Sequence, residues 1–177
     1  LEEPFIVLAT QNPVESEGVF PLPGSQLDRF LVKIESSYPS TKGLIEVVKK
    51  IDAIEEAYYR LKPVLSREEI LDAINSASRV DVDDSIYDYI VRIIEATRRH
   101  RMLLMGVSPR AGIALARLAK AWAYLDGRRY VIPDDVKAVV IPVLRHRLIF
   151  KPEYEIENAD PVATIKEIIA GVEVPKP

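Results

Sequence analysis

A short apolar run followed at once by polar residues restricts the fold of this chain more than any other feature. Residues 5–9 read FIVLA, and Thr10, Gln11, Asn12 and Pro13 come next. Such a run is typical of a parallel strand that is covered on both faces. Only residues 31–34 offer a second candidate strand to pair with it. We therefore expect residues 1–40 to be the remnant of an α/β domain.

A short helix and the second strand complete this predicted remnant. Ser25 is a candidate N-cap for a helix over residues 26–30, and residues 31–34 follow as the strand. The polar residues 36–40 include a proline, so we place the domain boundary there. Because the strands lack a sheet, we expect the region before Pro39 to be disordered, rearranged or engaged in a contact.

The remaining residues show the 3.6-residue period of amphipathic helices. We predict a bundle of about five helices over residues 41–150, and a C-terminal extension over residues 151–177 with one short helix that ends at Gly171. The clearest stripe comprises Ile86, Tyr89, Ile90, Ile93, Ile94 and Thr97. Other predicted inward faces are Leu44, Val47, Val48, Ile51, Ile54, Tyr58 and Leu61, then Leu115, Leu118, Trp122 and Leu125, then Val136, Val139, Val140 and Val143.

Smaller features refine this helical prediction. Ser66 and Glu69 form a capping-box pattern, and Ser108 with Pro109 opens another helix. Pro142 should kink or split its helix near Ile141. Residues 80–82 and 130–132 are candidates for two short strands within the bundle.

Composition excludes several classes of site. With no cysteine and two histidines, the chain has no disulfide or thiolate chemistry, and a histidine-rich metal site is not expected. A net charge of −3 gives no field that would attract nucleic acid or an anionic membrane. No apolar run reaches membrane-spanning length, so we expect a cytoplasmic protein with no nucleic-acid and no membrane partner. None of the seven glycines precedes a lysine, which excludes a phosphate-binding loop of the G-x-x-x-x-G-K-[ST] type.

Three polar residues are candidates for phosphate contacts. The amide of Asn12, at the end of the first strand, can donate to a phosphate and orient a water, or simply cap the strand. Arg29 can stabilise charge on a transferring phosphoryl group, or pair with Asp28 or another acid. Arg110 opposes the helix dipole in the first turn of its helix, which suits anion binding unless the side chain reaches a carboxylate.

Two basic segments are interpreted as structural. The run at residues 98–101 has no interleaved aromatic residues, so a solvated helix end explains it better than a nucleic-acid contact. His146 lies between two arginines, and packing or ion pairing explains it better than a role as a ligand or base.

Three sequence blocks occur in order: ATQNPVESEGVFPLPGSQLDRFL at 9–31, ATRRHRMLLMGVSPRAGIALARLAKAWAYLDGRRYVIPDDV at 96–136, and VLRHRL at 143–148. Together they resemble the MoxR family of AAA+ ATPases, and more loosely the magnesium-chelatase and MCM branches. The implied fold is mainly α: a helical-bundle AAA+ lid domain preceded by a strand, helix, strand remnant of an α/β P-loop NTPase core.

The resemblance also implies roles for the three candidates. Asn12 matches sensor 1, which orients the attacking water. Arg29 matches the arginine finger, which acts in trans on ATP bound by the neighbouring subunit. Arg110 matches sensor 2, which reaches the ATP phosphates of its own subunit. ATP and Mg²⁺ would be the cofactors of a full-length parent, and we predict that this portion alone binds no ATP tightly and hydrolyses none.

The function implied is that of a hexameric ring ATPase with a chaperone role in assembling or maturing protein complexes. Its partners would be other copies of the chain and protein clients, including one with a von Willebrand factor A-type domain. Two alternatives remain open at this point: a free-standing helical interaction module, and the lid of an MCM or magnesium-chelatase-like ATPase.

Overall fold

The computed structural model describes residues 2–11 and 22–175, and helices dominate these ranges. The helices are α1 (Gly24–Leu27), α2 (Thr41–Tyr59), α3 (Arg67–Ser78), α4 (Asp84–Arg99), α5 (Pro109–Leu125), α6 (Pro133–Leu144), α7 (Pro152–Ile156) and α8 (Pro161–Ala170). Two short strands, β1 (Leu103–Met105) and β2 (Ile149–Phe150), pair antiparallel. The core lies where α4, α5, α6 and α8 meet, with α3 against α5.

Helix α4 contributes a continuous stripe to the core, and this predicted stripe is confirmed. All six predicted residues are buried: Ile86, Tyr89, Ile90, Ile93, Ile94 and Thr97. Asp83 caps the start of the helix, where its carboxylate accepts from the Ser85 amide at 2.9 Å. The buried stripe on this one helix therefore determines which faces its neighbours must turn inward.

Helix α5 buries only part of its predicted face, since Leu115 is buried and Leu118 packs against the core. Its buried residues are mostly alanines: Ala111, Ala114, Leu115, Ala119 and Ala123. Trp122 and Leu125, predicted to face inward, are 49% and 81% exposed. Small side chains let the backbones of α5 and its neighbours approach closely, and this contact outweighs the burial of the larger residues.

Helix α6 is continuous from Pro133 to Leu144, so the predicted split near Ile141 is wrong. Its predicted inward valines at 136, 139, 140 and 143 are all buried. Pro142 lies in the last turn, where little helix remains to be disrupted. Its carbonyl accepts from the Lys33 amide at 2.9 Å, which ties residues 31–35 to the end of α6.

Helix α8 completes the same core. Asp160 caps it and Gly171 follows its last residue, as predicted, and Ile165 and Ile168 are buried against the bundle. The candidate strands at 80–82 and 130–132 form a single parallel bridge between Asp81 and Tyr130. The β1–β2 pair was not predicted, because segments of two or three residues carry no readable periodicity.

The predicted strands at 5–9 and 31–34 are not strands in the structure. Side chains 5–8 are between 58% and 91% exposed. In the described ranges no strand pairs with either segment. Their backbone groups therefore form no hydrogen-bond ladder, and most of their apolar side chains are exposed. Val32 alone packs against the helical core.

Helix α2 forms, yet it contributes no buried residue. Its predicted inward residues are all at least 44% exposed, and the helix bends at Lys50. The prediction that this face packs in the bundle is therefore wrong for the described chain.

Among the described residues, no helix has the length and apolar content needed to cross a membrane.

Gly106 and Val107, just before α5, cross the last turn of α4 in close contact. This tight crossing determines where α5 begins. The hydroxyl of Thr97, which is fully buried, donates to the Ile94 carbonyl at 2.6 Å and accepts from the Val107 amide at 3.1 Å. Next to it, a Cβ on Gly106 would lie 2.7 Å from Arg98 Cα and 2.8 Å from Arg98 N. Only glycine fits, because the backbone of α4 cannot yield at this distance.

We predict that Gly106→Ala lowers the free energy of unfolding by about 1–3 kcal/mol, because the added methyl overpacks the crossing. Gly112→Ala is the matched control: its Cβ would meet only Ile94 and Ile90 side-chain atoms at 3.7 and 3.9 Å. That change should be neutral or stabilise α5 by up to about 1 kcal/mol. Chemical denaturation measures both, and equal effects of the two substitutions would contradict the tight crossing.

Candidate functional site

Asp28 is the meeting point of the sequence blocks singled out above. It ends α1, and its carboxylate accepts hydrogen bonds from three side chains that are more than 75 positions away in the sequence. The Ser108 hydroxyl donates at 3.1 and 3.2 Å, Arg110 Nη1 at 3.3 Å and Arg147 Nε at 3.0 Å. The start of α5 and the end of α6 therefore converge on the residue that precedes Arg29.

Arg147 lies beneath this junction with its side chain 2% exposed. Its Nε binds the Asp28 carboxylate, and its two terminal nitrogens donate to four carbonyls: Asp28 at 3.1 Å, Phe30 at 2.6 Å, Leu31 at 3.2 Å, and Val143. Burial lowers the pKa of Arg147, and the hydrogen bond with Asp28 opposes this shift. An arginine remains charged in either case.

The two residues before Arg147 bind the same segment. His146 Nε2 lies 3.1 Å from the Phe30 carbonyl, so this nitrogen must carry the proton. Its Nδ1 is buried with no hydrogen-bond partner in the described chain. Arg145 forms an ion pair with Glu35. The structural interpretation of His146 is confirmed, since it holds residues 28–35 against the bundle.

Arg110 occupies the second position of α5, as predicted, and is half exposed. Its guanidinium contacts Asp28, which corresponds to the alternative of an arginine that reaches a carboxylate. The Ser108 side chain makes no capping bond to α5, because its hydroxyl also turns to Asp28. Both residues at the start of α5 are thus directed at the residue before Arg29.

Arg29 itself is exposed. Within residues 2–11 and 22–175, no hydrogen bond or ion pair holds its guanidinium, and Asp28 pairs with Arg110 and Arg147 instead. Its amide binds the Gln26 carbonyl at 3.1 Å in the turn that ends α1. Asn12 lies outside the described residues, and Arg110 contacts Asp28, the residue before Arg29, rather than Arg29 itself.

Sequence reasoning missed Asp28, Ser108 and Arg147 as members of one cluster. A signal was present, because LDRF, SPR and RHR each lie in a block that resembles the same family. Only the folded chain shows that these blocks meet. Among the described residues, no group of acidic or histidine side chains could hold a metal ion.

Two family models match separate parts of this chain. A family model described as "ATPase family associated with various cellular activities (AAA)" matches residues 1–32, and one described as "AAA lid domain" matches residues 95–168. These two matches contain Asp28 and Arg29, and Arg110 and Arg147, respectively.

Relatives match nearly the whole chain. It is 43% identical over 178 residues to YeaC of Bacillus subtilis, covering 99% of the chain and 54% of YeaC. It is 36% identical over 185 residues to the chaperone MoxR1 of Mycobacterium tuberculosis, covering 99% and 48%. A crystal structure of a candidate ATPase from Cytophaga hutchinsonii is similar with a TM-score of 0.91 and 36% identity, over 99% of this chain and 56% of that one. The chain spans about half the length of the curated relatives it matches.

His146 provides a test of the junction by pH. Burial lowers the pKa of His146 below its ordinary value of 6.5, Arg147 and Lys33 lower it further, and the Phe30 carbonyl and Asp28 oppose the shift. The unfolded chain therefore takes up this proton first as the pH falls. The stability that neutral His146 contributes is complete above about pH 6.5 and is lost as the pH falls toward the folded pKa.

We predict that His146→Gln, whose amide can still donate to the Phe30 carbonyl, loses less free energy of unfolding than the native protein between about pH 7.5 and 5.5. Urea denaturation at the two pH values measures the difference. Carboxylates titrate equally in both proteins and cancel in this comparison. Parallel pH profiles would contradict a buried, neutral His146.

Proposed function

We propose, because the chain belongs to the MoxR family of AAA+ ATPases, that it works as part of a ring-forming enzyme that hydrolyses ATP. In this proposal Arg29 is the arginine finger and Arg110 is sensor 2. The observation that carries it is the contact between Arg110 and the residue before Arg29. Arg29 and Arg110 thereby lie at the same junction. Through Asp28, the position of each arginine can depend on whether the other binds phosphate.

Arg29 has the physical properties that a finger requires. Its side chain is exposed, while hydrogen bonds hold the backbone on either side of it. A cation that is free to reach out from a fixed backbone can meet phosphate oxygens with little reorganisation. Such fingers contribute about 10³–10⁵ to the rate of phosphoryl transfer.

Arg110 can change partners at small cost. An exposed ion pair such as Arg110–Asp28 contributes only about 0–1 kcal/mol. When Arg110 leaves, the Asp28 carboxylate still accepts from Ser108 and Arg147, so its charge stays compensated. We infer that the Asp28 contact is the resting position of Arg110 and that ATP phosphates draw it away.

The shared junction bears on which nucleotide Arg110 binds. Sensor 2 was expected to reach the ATP of its own subunit, and the finger that of the neighbour. Residues linked through Asp28 are better placed to act on one nucleotide than on two. We therefore favour an arrangement in which Arg29 and Arg110 both act on the ATP of the neighbouring subunit.

The biological role proposed is that of a chaperone for protein complexes. One relative is named a chaperone, and the comparisons fit the MoxR assignment better than an MCM-like lid or an isolated helical module. A client with a von Willebrand factor A-type domain remains part of this proposal. ATP is the substrate, Mg²⁺ accompanies it, and no described residue is assigned to the metal.

The finger assignment is tested by Arg29→Ala in the full-length protein. We expect turnover to fall by about 10³-fold or more while ATP still binds, because the finger acts on charge that develops during transfer. Nucleotide binding and phosphate release measure the two properties separately. Arg99→Ala is the matched control, since Arg99 is 80% exposed and pairs only with Glu95. Normal turnover in Arg29→Ala would remove the finger role.

Mixed rings test which nucleotide Arg110 binds. Arg29→Ala subunits are combined with Arg110→Ala subunits, each inactive alone. If both arginines act on the neighbour's ATP, every interface lacks one of them and mixing restores nothing. If Arg110 acts on its own ATP, about one quarter of the interfaces in a random equal mixture are complete, and activity returns.

A further inference from the structure

We propose that Arg147 is the positioning residue for the arginine finger: its buried guanidinium holds the peptide on both sides of Arg29. This proposal rests on the assignment of Arg29 given above. Arg147 is inaccessible, so it acts only through the segment that it binds.

The hydrogen bonds of Arg147 use its whole donor capacity. A guanidinium carries five N–H donors in one plane. Five acceptors surround it: the Asp28 carboxylate and the carbonyls of Asp28, Phe30, Leu31 and Val143. Two of these carbonyls belong to the residues directly before and after Arg29. The finger is therefore attached to a peptide whose position is determined from both sides.

Few other contacts hold this segment. Helix α1 has no buried residue, and Phe30 and Val32 are only partly buried. The remaining ties are the Phe30 carbonyl to His146, the Lys33 amide to the Pro142 carbonyl, Glu35 to Arg145, and the Asp28 carboxylate to Ser108 and Arg110. Apart from the last two, which lie at the start of α5, these partners lie in or just after the end of α6. Arg147 alone donates four hydrogen bonds to residues 28–31, so the direction of Arg29 depends on it more than on packing.

A lysine cannot take over this arrangement. Its ammonium has three donors at a single point, whereas the five acceptors here are spread around a planar fork. Arg147→Lys keeps the charge opposite Asp28 and loses at least two of the five hydrogen bonds. The substitution thus separates the geometry of the fork from its charge.

Hydrogen exchange tests the structural part of the proposal in the full-length protein. We expect Arg147→Lys to speed exchange in a peptide over residues 26–35 while a peptide over residues 86–97 of α4 keeps its protection. Arg128→Lys is the matched control: Arg128 makes a similar paired contact with buried Asp135, but at the start of α6. Unchanged exchange over residues 26–35 in Arg147→Lys would overturn the proposal, whatever the ATPase activity.

Kinetics test the link to the finger. We expect Arg147→Lys to lower kcat by about 10- to 100-fold with KM for ATP nearly unchanged, because a misdirected finger affects the transition state rather than binding. The same substitution made in an Arg29→Ala background should have almost no further effect on kcat, although its effect on Tm persists. A purely structural role predicts equal effects of Arg147→Lys in both backgrounds, and that result would overturn the proposal.

Asp28→Asn serves if Arg147→Lys does not fold. It leaves the four carbonyl contacts of Arg147 in place, removes the charge opposite the buried guanidinium and weakens the contacts of Ser108 and Arg110, so we expect faster exchange over residues 26–35 here too. Failure of the two proposals is distinguishable. Full turnover by Arg29→Ala removes the finger, whereas an unaltered peptide at residues 26–35 in both Arg147→Lys and Asp28→Asn removes the positioning role.

Discussion

The junction between residues 24–35 and the helical bundle depends on one buried cation. Helix α1 has no buried residue, so hydrophobic contact alone does not hold this segment. Arg147 instead donates four hydrogen bonds to residues 28–31, and Asp28 compensates its charge. Removing one partner of a buried pair of this kind costs about 3–5 kcal/mol, because the other charge is left without compensation. Specific polar contacts therefore connect the two sequence regions that the family models match separately.

The hydrophobic core determines the other half of the junction. The isoleucine stripe of α4 and the alanine face of α5 set the position of α5, and Thr97 with Gly106 sets where its chain begins. Ser108 and Arg110 reach Asp28 only because that starting point is fixed. A rigid core thus directs two side chains of modest individual strength at the segment that carries Arg29.

The strength of the contacts around Asp28 follows their exposure. Arg147 is buried and has no other environment in which its charge is satisfied, so it stays in place. Arg110 is half exposed and loses little when water or a phosphate replaces Asp28. A single carboxylate can therefore have one permanent partner and one exchangeable partner. This difference suits a site in which one group must be fixed and another must respond to a ligand.

Local sequence patterns correctly predicted those helices and caps that form through contacts between residues close together in the sequence. The α4 stripe, the Ser66–Glu69 capping box and the limits of α8 are confirmed, because each depends on residues within a few positions of one another. Arg29 and Arg110 were named as candidates from the sequence, and their roles stay a prediction. The predictions were wrong for the strands at 5–9 and 31–34, for the packing of α2 and for Trp122 and Leu125 on α5. Each of these depends on what covers a surface, and a hydrophobic pattern does not identify its partner.

The sequence by itself determined the helical class, several helix ends and the candidate residues, since periodicity, caps and motif residue types express short-range physics. The first helix is an exception, because α1 covers Gly24–Leu27 after Pro23 and not residues 26–30 after a Ser25 cap. Only the tertiary structure decided that Asp28, Ser108, Arg110 and Arg147 form one cluster around the residue before Arg29. These residues are separated by up to 119 positions, and their contact arises from the angles at which α4, α5 and α6 pack. Those angles depend on how many side chains from several helices pack together. The sequence of one segment alone does not determine them.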